Sequence, residues 1–221
     1  MHFDFLIEDV SGERTLEILV PKILNDSHTY TIHSYKGVGH LPKNLKSSTL
    51  DPSTRVLLNH LPKLINGFGK RYQGYGENYS AILIIIIDLD SKNKIYFLDQ
   101  LNQVLEACSS QPKVKFCFAI EEGEAWFLGD SSAIKKAYPS VKKHLLANYV
   151  PDSICGTWEL LANAIYKGGV DALKKKGHHE VGKEKSSWAI NITPYMDIKN
   201  NASPSFCDFR DLLIHLTKPQ N

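Results

Sequence analysis

The chain has 221 residues, 43% of them hydrophobic, and a formal net charge of +2 at pH 7. This length is sufficient for one full hydrophobic core with a smaller appended lobe. A net charge so close to zero excludes a global electrostatic field that draws the protein to nucleic acid or to an acidic membrane, so any such attraction must come from local patches.

The cysteine pattern and the apolar runs predict a cytoplasmic protein. The four cysteines form no CxxC pair and lie among apolar or helical residues, which is typical of a reduced protein and argues against a zinc site. The amino terminus lacks the basic and apolar segments of a secretory signal. The longest apolar run, residues 81–87, is far shorter than the about 20 residues that span a bilayer, so no membrane association is predicted.

The first part of the chain predicts a strand, a helix and a second strand. Residues 2–8 are strand-like, and Ser11 is predicted to cap a helix whose apolar stripe covers residues 16–24. Pro21 is expected to kink or shorten the last turn of this helix, because it removes a hydrogen bond. Residues 28–35 alternate and are rich in Thr, Tyr and Ile, which predicts the second strand.

The next segment predicts a long helix and the central strand of a sheet. Asp51 and Pro52 form a helix start, with an N-cap and a proline at the first helical position, and the helix is predicted to continue to Phe68. The glycines between residues 67 and 76 are predicted to end it. Residues 81–87 do not alternate, and their isoleucines favour a strand covered on both faces, as in the middle of a parallel sheet.

A helix over residues 94–109 and a strand over residues 114–120 complete a β-α-β-α-β-α-β order. Such alternation predicts an α/β fold, with a mostly parallel four-stranded sheet flanked by helices. After residue 121 no further strong strand is predicted, and helices are predicted at residues 126–138, 140–149, 158–166 and 206–216. The predicted domains are an α/β domain at residues 1–130 and a helical carboxy-terminal lobe at residues 131–221.

Three clusters of carboxylates each follow a predicted strand. They are Glu8-Asp9, Asp88-Leu89-Asp90 and Glu121-Glu122-Gly123-Glu124. Because the carboxyl ends of parallel strands share the edge at which ligands bind, these acids are expected to converge and to repel one another unless a divalent cation neutralises them. The pattern therefore predicts a metal site.

Asp88 and Asp90 are two residues apart, so in an extended chain their side chains point the same way and can hold one or two cations. Magnesium suits such a site, because it takes hard oxygen ligands and is usually bound by one or two carboxylates together with substrate phosphate; manganese is the second candidate. Phosphate chemistry is the leading interpretation, with two cations stabilising the attacking and leaving oxygens of an in-line displacement. The alternative is that acids after strands only cap helices or form turns.

The residues around the first and third strands resemble a known family. Glu8 at the end of the first strand, Ser11-Gly12-Glu13 at the start of the next helix, and Asp88-Leu89-Asp90 after the third strand look like the Toprim arrangement of topoisomerases, primases and overcoming-lysogenization-defect nucleases. The resemblance implies a Toprim-like fold, a glutamate at Glu8 that acts as general acid or base, and magnesium ligands at Asp88 and Asp90. Glu121 departs from the pattern, since an arginine often stands there in the family.

A second resemblance covers the later part of the chain. The segment AIEEGEAWFLGD, residues 119–130, is similar to a segment of a small Toprim-like family of unassigned function, and the tail around Pro204 and Phe209 is similar to that family's ending. Members of that family are often found with an ATPase in abortive-infection and other phage-defence systems. The resemblance therefore implies an ATPase partner protein and a role in defence.

Residues 36–76 form a basic stretch with aromatic residues interleaved near its glycines. Such a stretch can follow a nucleic-acid backbone and stack bases, which predicts a DNA or RNA substrate. The residues predicted to bind it are Lys36, Arg55, Lys70 and Arg71. A solvated helix face with a loop explains the same composition. A second basic run, residues 174–185, is interpreted either as a phosphate grip or as a solvated helix end.

The leading hypothesis is a magnesium-dependent phosphodiesterase or nuclease of Toprim type. Its catalytic residues are Glu8, Asp88, Asp90 and Glu124, and its metal ligands are Glu8, Asp88 and Asp90. The second hypothesis is a non-catalytic protein that binds an ATPase, or nucleic acid, and retains a degenerate acidic metal site. Two departures from the family pattern favour it: the first motif reads Glu-Asp-Val-Ser-Gly-Glu in place of the usual Glu-Gly-x-x-Glu, and Glu121 stands where an arginine is common. The third hypothesis is a receiver-like domain. It is disfavoured because the chain shows no clear fifth strand with the lysine of such a domain, and because a receiver domain leaves the helical tail unexplained.

Overall fold

The structure is a computed structural model that describes residues 1–42, 55–76, 79–153 and 155–218. Its strands are β1 (His2–Ile7), β2 (Thr29–Ser34), β3 (Ala81–Asp88) and β4 (Val114–Ala119). They form one all-parallel sheet in the order β2-β1-β3-β4, flanked by helices and followed by a helical carboxy-terminal end. The α/β fold predicted from the sequence is confirmed.

The helices of the described residues alternate with the strands and then continue to the carboxy-terminal end. They are α1 (Val10–Ile23), α2 (Leu61–Gly74), α3 (Lys94–Glu106), α4 (Glu124–Leu128), α5 (Ser131–Ala137), α6 (Lys143–Ala147), α7 (Thr157–Ile165), α8 (Gly169–Lys174), α9 (His178–Ile192) and α10 (Pro204–Thr217). Short 3-10 turns at Leu58–His60 and Thr193–Tyr195 precede α2 and follow α9. In the part of the chain that the structure describes, no helix is both long enough and apolar enough to cross a membrane.

The parallel pairing of β1 with both of its neighbours fixes where the strands end. β1 and β3 are buried along almost their whole length, as expected for central strands covered on both faces, whereas β2 is exposed or partly buried at the sheet edge. In the register between the central strands, Ile7 is level with Ile86. Glu8 therefore follows β1 at the same edge of the sheet at which Asp88 ends β3.

The chain divides into two compact units by its contacts. The sheet unit comprises Met1–Glu13, Asp26–Ile87 and Lys92–Cys117, and the helical unit comprises Arg14–Asn25, Asp88–Ser91 and Phe118–Asn221. In the helical unit, the Trp126 ring stacks on Phe209 with 5.0 Å between ring centroids, and its indole N–H donates to the Ser205 hydroxyl. The two domains that the sequence suggests, with a boundary at residue 130, stay a prediction.

Helix α1 begins one residue before the predicted cap, and Asp9 instead of Ser11 caps it. The Asp9 carboxylate accepts a hydrogen bond of 2.7 Å from the amide of Gly12, which satisfies one of the unpaired amides of the first turn. Pro21 lies in the last turn, and the helix ends at Ile23. The helical hydrogen bonding nevertheless continues past the proline, since the Leu24 amide donates to the Val20 carbonyl at 2.8 Å, so the kink or shortening expected from Pro21 stays a prediction.

The predicted helix start at Asp51 and Pro52 lies outside the described residues. Helix α2 begins at Leu61, and Pro62 stands in its first turn. A proline is tolerated there because the first amides of a helix have no partner within it. The preference for proline in the first turn of a helix therefore holds in this segment, but at Pro62.

The prediction that Gly67 and Gly69 end α2 is wrong, because both lie inside the helix. Gly69 serves close packing: a Cβ atom there would lie 2.5 Å from the main-chain oxygen of Ser110. The missing side chain lets α2 approach this segment of the sheet unit directly. At Gly67, in contrast, an added Cβ would meet nothing within 4 Å.

The helical end is divided more finely than the sequence predicts. In place of one helix over residues 126–138 there are α4 and α5, because the Asp130 carboxylate accepts hydrogen bonds from the amides of Ser132 and Ala133 and caps a new helix. The predicted helix over residues 140–149 is reduced to α6. Two further helices were not predicted: α8 ends at Lys174, where the basic run begins, and α9 contains the part of the run from His178 onward.

A buried carboxylate, Asp4, joins two strands and a helix of the sheet unit. It lies within β1 with no exposed surface, and its oxygens accept hydrogen bonds from His33 of β2 and from Arg71 and Tyr72 of α2. Burial raises the pKa of a carboxyl group, but these three donors outweigh it and lower the pKa of Asp4 to about 2. Asp4 is therefore an ionised group at the centre of a polar network.

Asp4→Asn is expected to lower the free energy of unfolding at pH 7 by roughly 2 kcal/mol, because an amide offers the Arg71 guanidinium a weaker acceptor and adds a donor among donors. Urea unfolding measures this change. Because the pKa of Asp4 is lowered from 3.8 to about 2, its contribution is present above pH 3.8 and is lost as the pH falls through about 2. The difference between variant and wild type should shrink in that range.

The matched control is Asp26→Asn, which neutralises an exposed aspartate of the sheet unit. Its effect on the free energy of unfolding should stay within about 0.5 kcal/mol. An Asp4→Asn protein that is as stable as wild type at pH 7 would show that the network contributes nothing to folding.

Candidate active site

Two acidic turns of the helical unit are joined by main-chain hydrogen bonds. Asp88 ends β3, and the next two amides donate to the segment after β4: Leu89 to the Ala119 carbonyl and Asp90 to the Glu121 carbonyl, each at 3.0 Å. The acids that follow β3 therefore lie beside those that follow β4. Both turns are at the carboxyl ends of parallel strands, where ligands bind in open α/β sheets.

Asp90 and Glu121 both have a left-handed backbone, with φ values of 49° and 62°. This conformation is uncommon for residues other than glycine, and a glutamate has less local compensation for it than an aspartate. Strained residues cluster at ligand and catalytic sites, where the surrounding fold holds them in place. The two turns are therefore the candidate site.

The Glu121 side chain is held by the amino-terminal end of α7. One of its oxygens accepts a hydrogen bond of 2.6 Å from the Gly156 amide, and the other accepts from the Thr157 amide at 2.8 Å and from the Thr157 hydroxyl at 2.9 Å. A carboxylate is stabilised at this end of a helix by unpaired amides and by the helix dipole. These contacts give Glu121 a structural role that binds α7 to the site.

Glu122 and Glu124 share one lysine of α9. The Lys185 ammonium lies 3.5 Å from the Glu122 carboxylate and 3.2 Å from the Glu124 carboxylate. All three side chains are largely buried; Glu124, with 2% exposure, is almost completely so. An internal cation therefore neutralises part of the acidic cluster, which the sequence had suggested only a metal ion would do.

The pKa of Glu122 is raised to about 8. Burial is the main cause; Lys185 lowers the pKa, and the nearby carboxylates of Glu124, Glu121 and Glu159 raise it. Its Oε2 atom is buried and has no hydrogen-bond partner among the described residues. Glu122 can therefore hold or release a proton near neutral pH, as a general acid or base must.

The acids of the first motif belong to the sheet unit. Glu8 is partly buried directly after β1, and its main-chain carbonyl accepts a hydrogen bond of 2.8 Å from the Gly37 amide. The Glu13 carboxylate accepts one of 2.6 Å from the Ser34 hydroxyl at the end of β2. Glu13 therefore fixes the end of a strand, which accounts for its presence without a catalytic role.

The four cations predicted to bind nucleic acid fall into two groups. Arg55 and Arg71 line one cavity of the sheet unit. Lys36 and Lys70 are exposed and do not line it. Arg71 is also bonded to Asp4, so part of the basic stretch serves the polar network around that carboxylate.

Within residues 1–42, 55–76, 79–153 and 155–218, no three His, Cys, Asp or Glu side chains are grouped so that they can hold a metal ion. A magnesium ion would therefore rely on one or two carboxylates, with water and substrate phosphate as its other ligands, which is its common mode of binding. The assignment of Asp88 and Asp90 as its ligands stays a prediction, and the extended chain that it assumes ends at Asp88, because Asp90 has a left-handed backbone.

The role of Lys185 was not predicted from the sequence. The basic run that contains it was interpreted as a phosphate grip or a solvated helix end, yet this side chain is 15% exposed and pairs with acids. A signal for this was present: the apolar residues Trp188, Ala189 and Ile192 follow Lys185 at helical spacing and are buried. That spacing puts Lys185 on the inner face of α9.

The fold and the site together define an α/β protein with a parallel sheet and an acidic cluster after two of its strands. The family model described as Domain of unknown function (DUF4276) matches residues 7–214. The chain belongs to this family. No curated protein and no solved structure matches the chain.

The raised pKa of Glu122 predicts a pH-dependent stability. Because this pKa is raised from 4.5 to about 8, the folded protein keeps a proton that the unfolded chain releases, and this contribution to stability is lost as the pH rises through about 8. Glu122→Gln does not ionise. Its melting temperature minus that of wild type, measured by circular dichroism, should therefore increase from pH 5.5 to pH 8.5.

Glu180→Gln is the control for this measurement, since it changes a carboxylate of α9 that is 40% exposed and whose pKa is lowered by its hydrogen bond from Lys183. Glu180 is ionised at both pH values, so its melting-temperature difference should be the same at each. If the Glu122→Gln difference is equally constant, the carboxyl group of Glu122 titrates in its ordinary range.

Proposed function

We propose that the chain is a magnesium-dependent phosphodiesterase or nuclease of Toprim type. The observation that carries the proposal is the pair of acidic turns, in which the Asp90 amide donates to the Glu121 carbonyl and both residues have a left-handed backbone. Residues with a strained backbone cluster at ligand and catalytic sites, where the surrounding fold holds their side chains in position. An acidic site at the carboxyl end of a parallel strand suits a phosphate ester bound together with a divalent cation.

In this proposal Asp88 and Asp90 hold Mg²⁺, or Mn²⁺ in its place. The bound ion supplies charge neutralisation for the phosphate and for the oxygens that enter and leave it. Glu8 follows β1, which pairs directly with β3, and it acts as the general acid or base that the Toprim resemblance implies. Glu124, almost fully buried against Lys185, keeps that lysine in position.

The substrate proposed from the sequence is DNA or RNA, and the proposed setting is phage defence in the cytoplasm with an ATPase partner. None of the four cysteines, which all lie within the described residues, forms a disulfide, and this supports a reducing compartment. The defence setting and the ATPase rest on the family resemblance described above.

Asp88→Asn and Asp90→Asn are each expected to lower kcat for phosphodiester cleavage by about 100-fold or more, because an amide is a weaker magnesium ligand and carries no charge. The measurement is the initial rate with fluorescent DNA, fluorescent RNA and bis(p-nitrophenyl) phosphate, each with Mg²⁺ or Mn²⁺. Magnesium should also raise the melting temperature of wild type but not that of the two variants, because an ion that binds the folded state stabilises it.

Asp171→Asn is the matched control, because it neutralises an exposed aspartate of α8 in the same unit. It should keep both the wild-type rate and the magnesium-dependent rise in melting temperature. If wild type leaves all three substrates intact with either ion and shows no such rise, the proposed enzyme activity is wrong.

The pairing of Lys185 with Glu122 and Glu124 favours a second candidate function. An acidic cluster that is neutralised from within needs no metal, which fits a non-catalytic protein that binds an ATPase and retains a degenerate site. The expected results are that an ATPase co-purifies with the tagged chain from its native cell, and that calorimetry finds no magnesium binding. Metal-dependent cleavage that Asp88→Asn abolishes would exclude this candidate.

A further inference from the structure

A cavity of about 340 Å³ lies in the sheet unit, beside one face of α2. Its lining residues are Tyr35, Arg55, His60, Lys63, Leu64, Gly67, Phe68 and Arg71. The α2 members recur at intervals of three and four residues, so they share one side of the helix. The volume is at the lower end of the ~300–1,000 Å³ range of small-molecule sites, which favours a ligand of a single nucleotide's size over a long chain segment.

The charges of the cavity lining have one sign. Three side chains that are permanent cations at neutral pH, Arg55, Lys63 and Arg71, line it together with a histidine, and none of the described residues that line it is acidic. Arg71 forms an ion pair with Asp4. Within the described residues, no carboxylate lies within ion-pair distance of Arg55 or Lys63, so these two cations are available to an anion.

The position of Arg55 is fixed before any ligand binds. Its guanidinium donates to the Ser34 carbonyl at 2.8 Å, and its own carbonyl accepts a hydrogen bond of 2.8 Å from the Lys36 amide. A cation held in this way loses little conformational freedom on binding. Arginine also presents several N–H groups in a planar array that matches the oxygens of a phosphate.

Two aromatic side chains supply the other half of the recognition. Tyr35 and Phe68 line the cavity, whose surface is mainly apolar. The Arg71 guanidinium lies over the Phe68 ring, 4.5 Å from its centroid. Aromatic rings stack on nucleobases regardless of sequence, and arginine adds a cation–π contribution. The cavity therefore combines a surface for a planar base with cations for a phosphate.

We infer that this cavity binds one nucleoside monophosphate unit, either as a free nucleotide or as one residue of a single strand. The base contacts the apolar and aromatic wall, and the phosphate contacts Arg55 and Lys63. A nucleoside without phosphate makes only the contacts of the base, and a sugar phosphate makes only the contacts of the phosphate. The inference is independent of the proposed magnesium site, and its test is carried out in EDTA so that the two can fail separately.

The test measures binding of four probes to the full chain by calorimetry: AMP, adenosine, ribose 5-phosphate and a single-stranded oligo(A). AMP is expected to bind about tenfold more tightly than adenosine or ribose 5-phosphate. Of these three small molecules, only AMP has both the base and the phosphate that the cavity contacts. Lys63→Ala should weaken AMP binding about tenfold. Lys115→Ala, which removes an exposed lysine of β4 outside the cavity, should leave it unchanged.

A glycine substitution tests the cavity without removing any contact. An added Cβ at Gly67 meets nothing within 4 Å, so Gly67→Leu should fill the cavity and block AMP while its melting temperature does not fall, since leucine favours a helix more than glycine does. Gly74→Leu is the matched control: it lies on the same helix, also meets nothing within 4 Å, and does not line the cavity.

The oligonucleotide distinguishes the two sources of the ligand. If oligo(A) binds more tightly than AMP and Gly67→Leu blocks both, the site holds a nucleotide within a strand; if AMP binds and the oligonucleotide binds only weakly, the ligand is a free nucleotide. The inference is overturned if neither probe binds wild type. It is equally overturned if Gly67→Leu binds both as wild type does.

Discussion

The parallel pairing of β1 with both β2 and β3 is the constraint on which the rest of this structure depends. Parallel neighbours must be joined by long crossovers, so a helix follows each strand before the next one begins. The same pairing brings the carboxyl ends of the strands to one edge of the sheet. Within the helical unit, the turns that follow β3 and β4 contain Asp88, Asp90 and Glu121, so their acids lie side by side as a result of the topology.

The protein accommodates its carboxylates by three different physical means. Main-chain amides at the start of α7 hold Glu121, an ammonium group neutralises Glu124, and Glu122 takes up a proton at a pH far above its ordinary range. In the first two cases the carboxylate stays charged and its partners are fixed groups of the protein. The third depends on the surrounding solution, so Glu122 is the member of the cluster whose charge changes most readily near neutral pH.

Much of the fold was predictable because it depends on local pattern. The apolar run at residues 81–87 has too little alternation for a strand with one wet face, and β3 is indeed buried throughout. The acids after the strands were also evident, since strand ends are visible in the sequence. The Asp130 cap that separates α4 from α5 is visible in the sequence as a short polar residue before two serines, and the structure confirms it, although apolar spacing alone predicts one helix over residues 126–138.

The partners of the acids were not predictable in the same way. Thr157 and Lys185 are far from Glu121 and Glu124 in sequence, and no local pattern indicates that α7 and α9 bring them together. The interior glycines of α2 were wrongly predicted to end the helix for a related reason. A glycine that ends a helix and one that permits close packing look alike in a sequence, because the neighbour that decides between them is distant.

Close packing at Gly69 has a further consequence for how the family can diverge. With the main chain of Ser110 as the obstacle, no rotamer adjustment relieves the clash, because a backbone atom cannot turn aside as a side chain can. Any larger residue must push the helix outward and separate it from the segment before β4. Homologues that keep this arrangement should therefore retain glycine at position 69, whereas position 74, where an added Cβ meets nothing within 4 Å, can accept other residues.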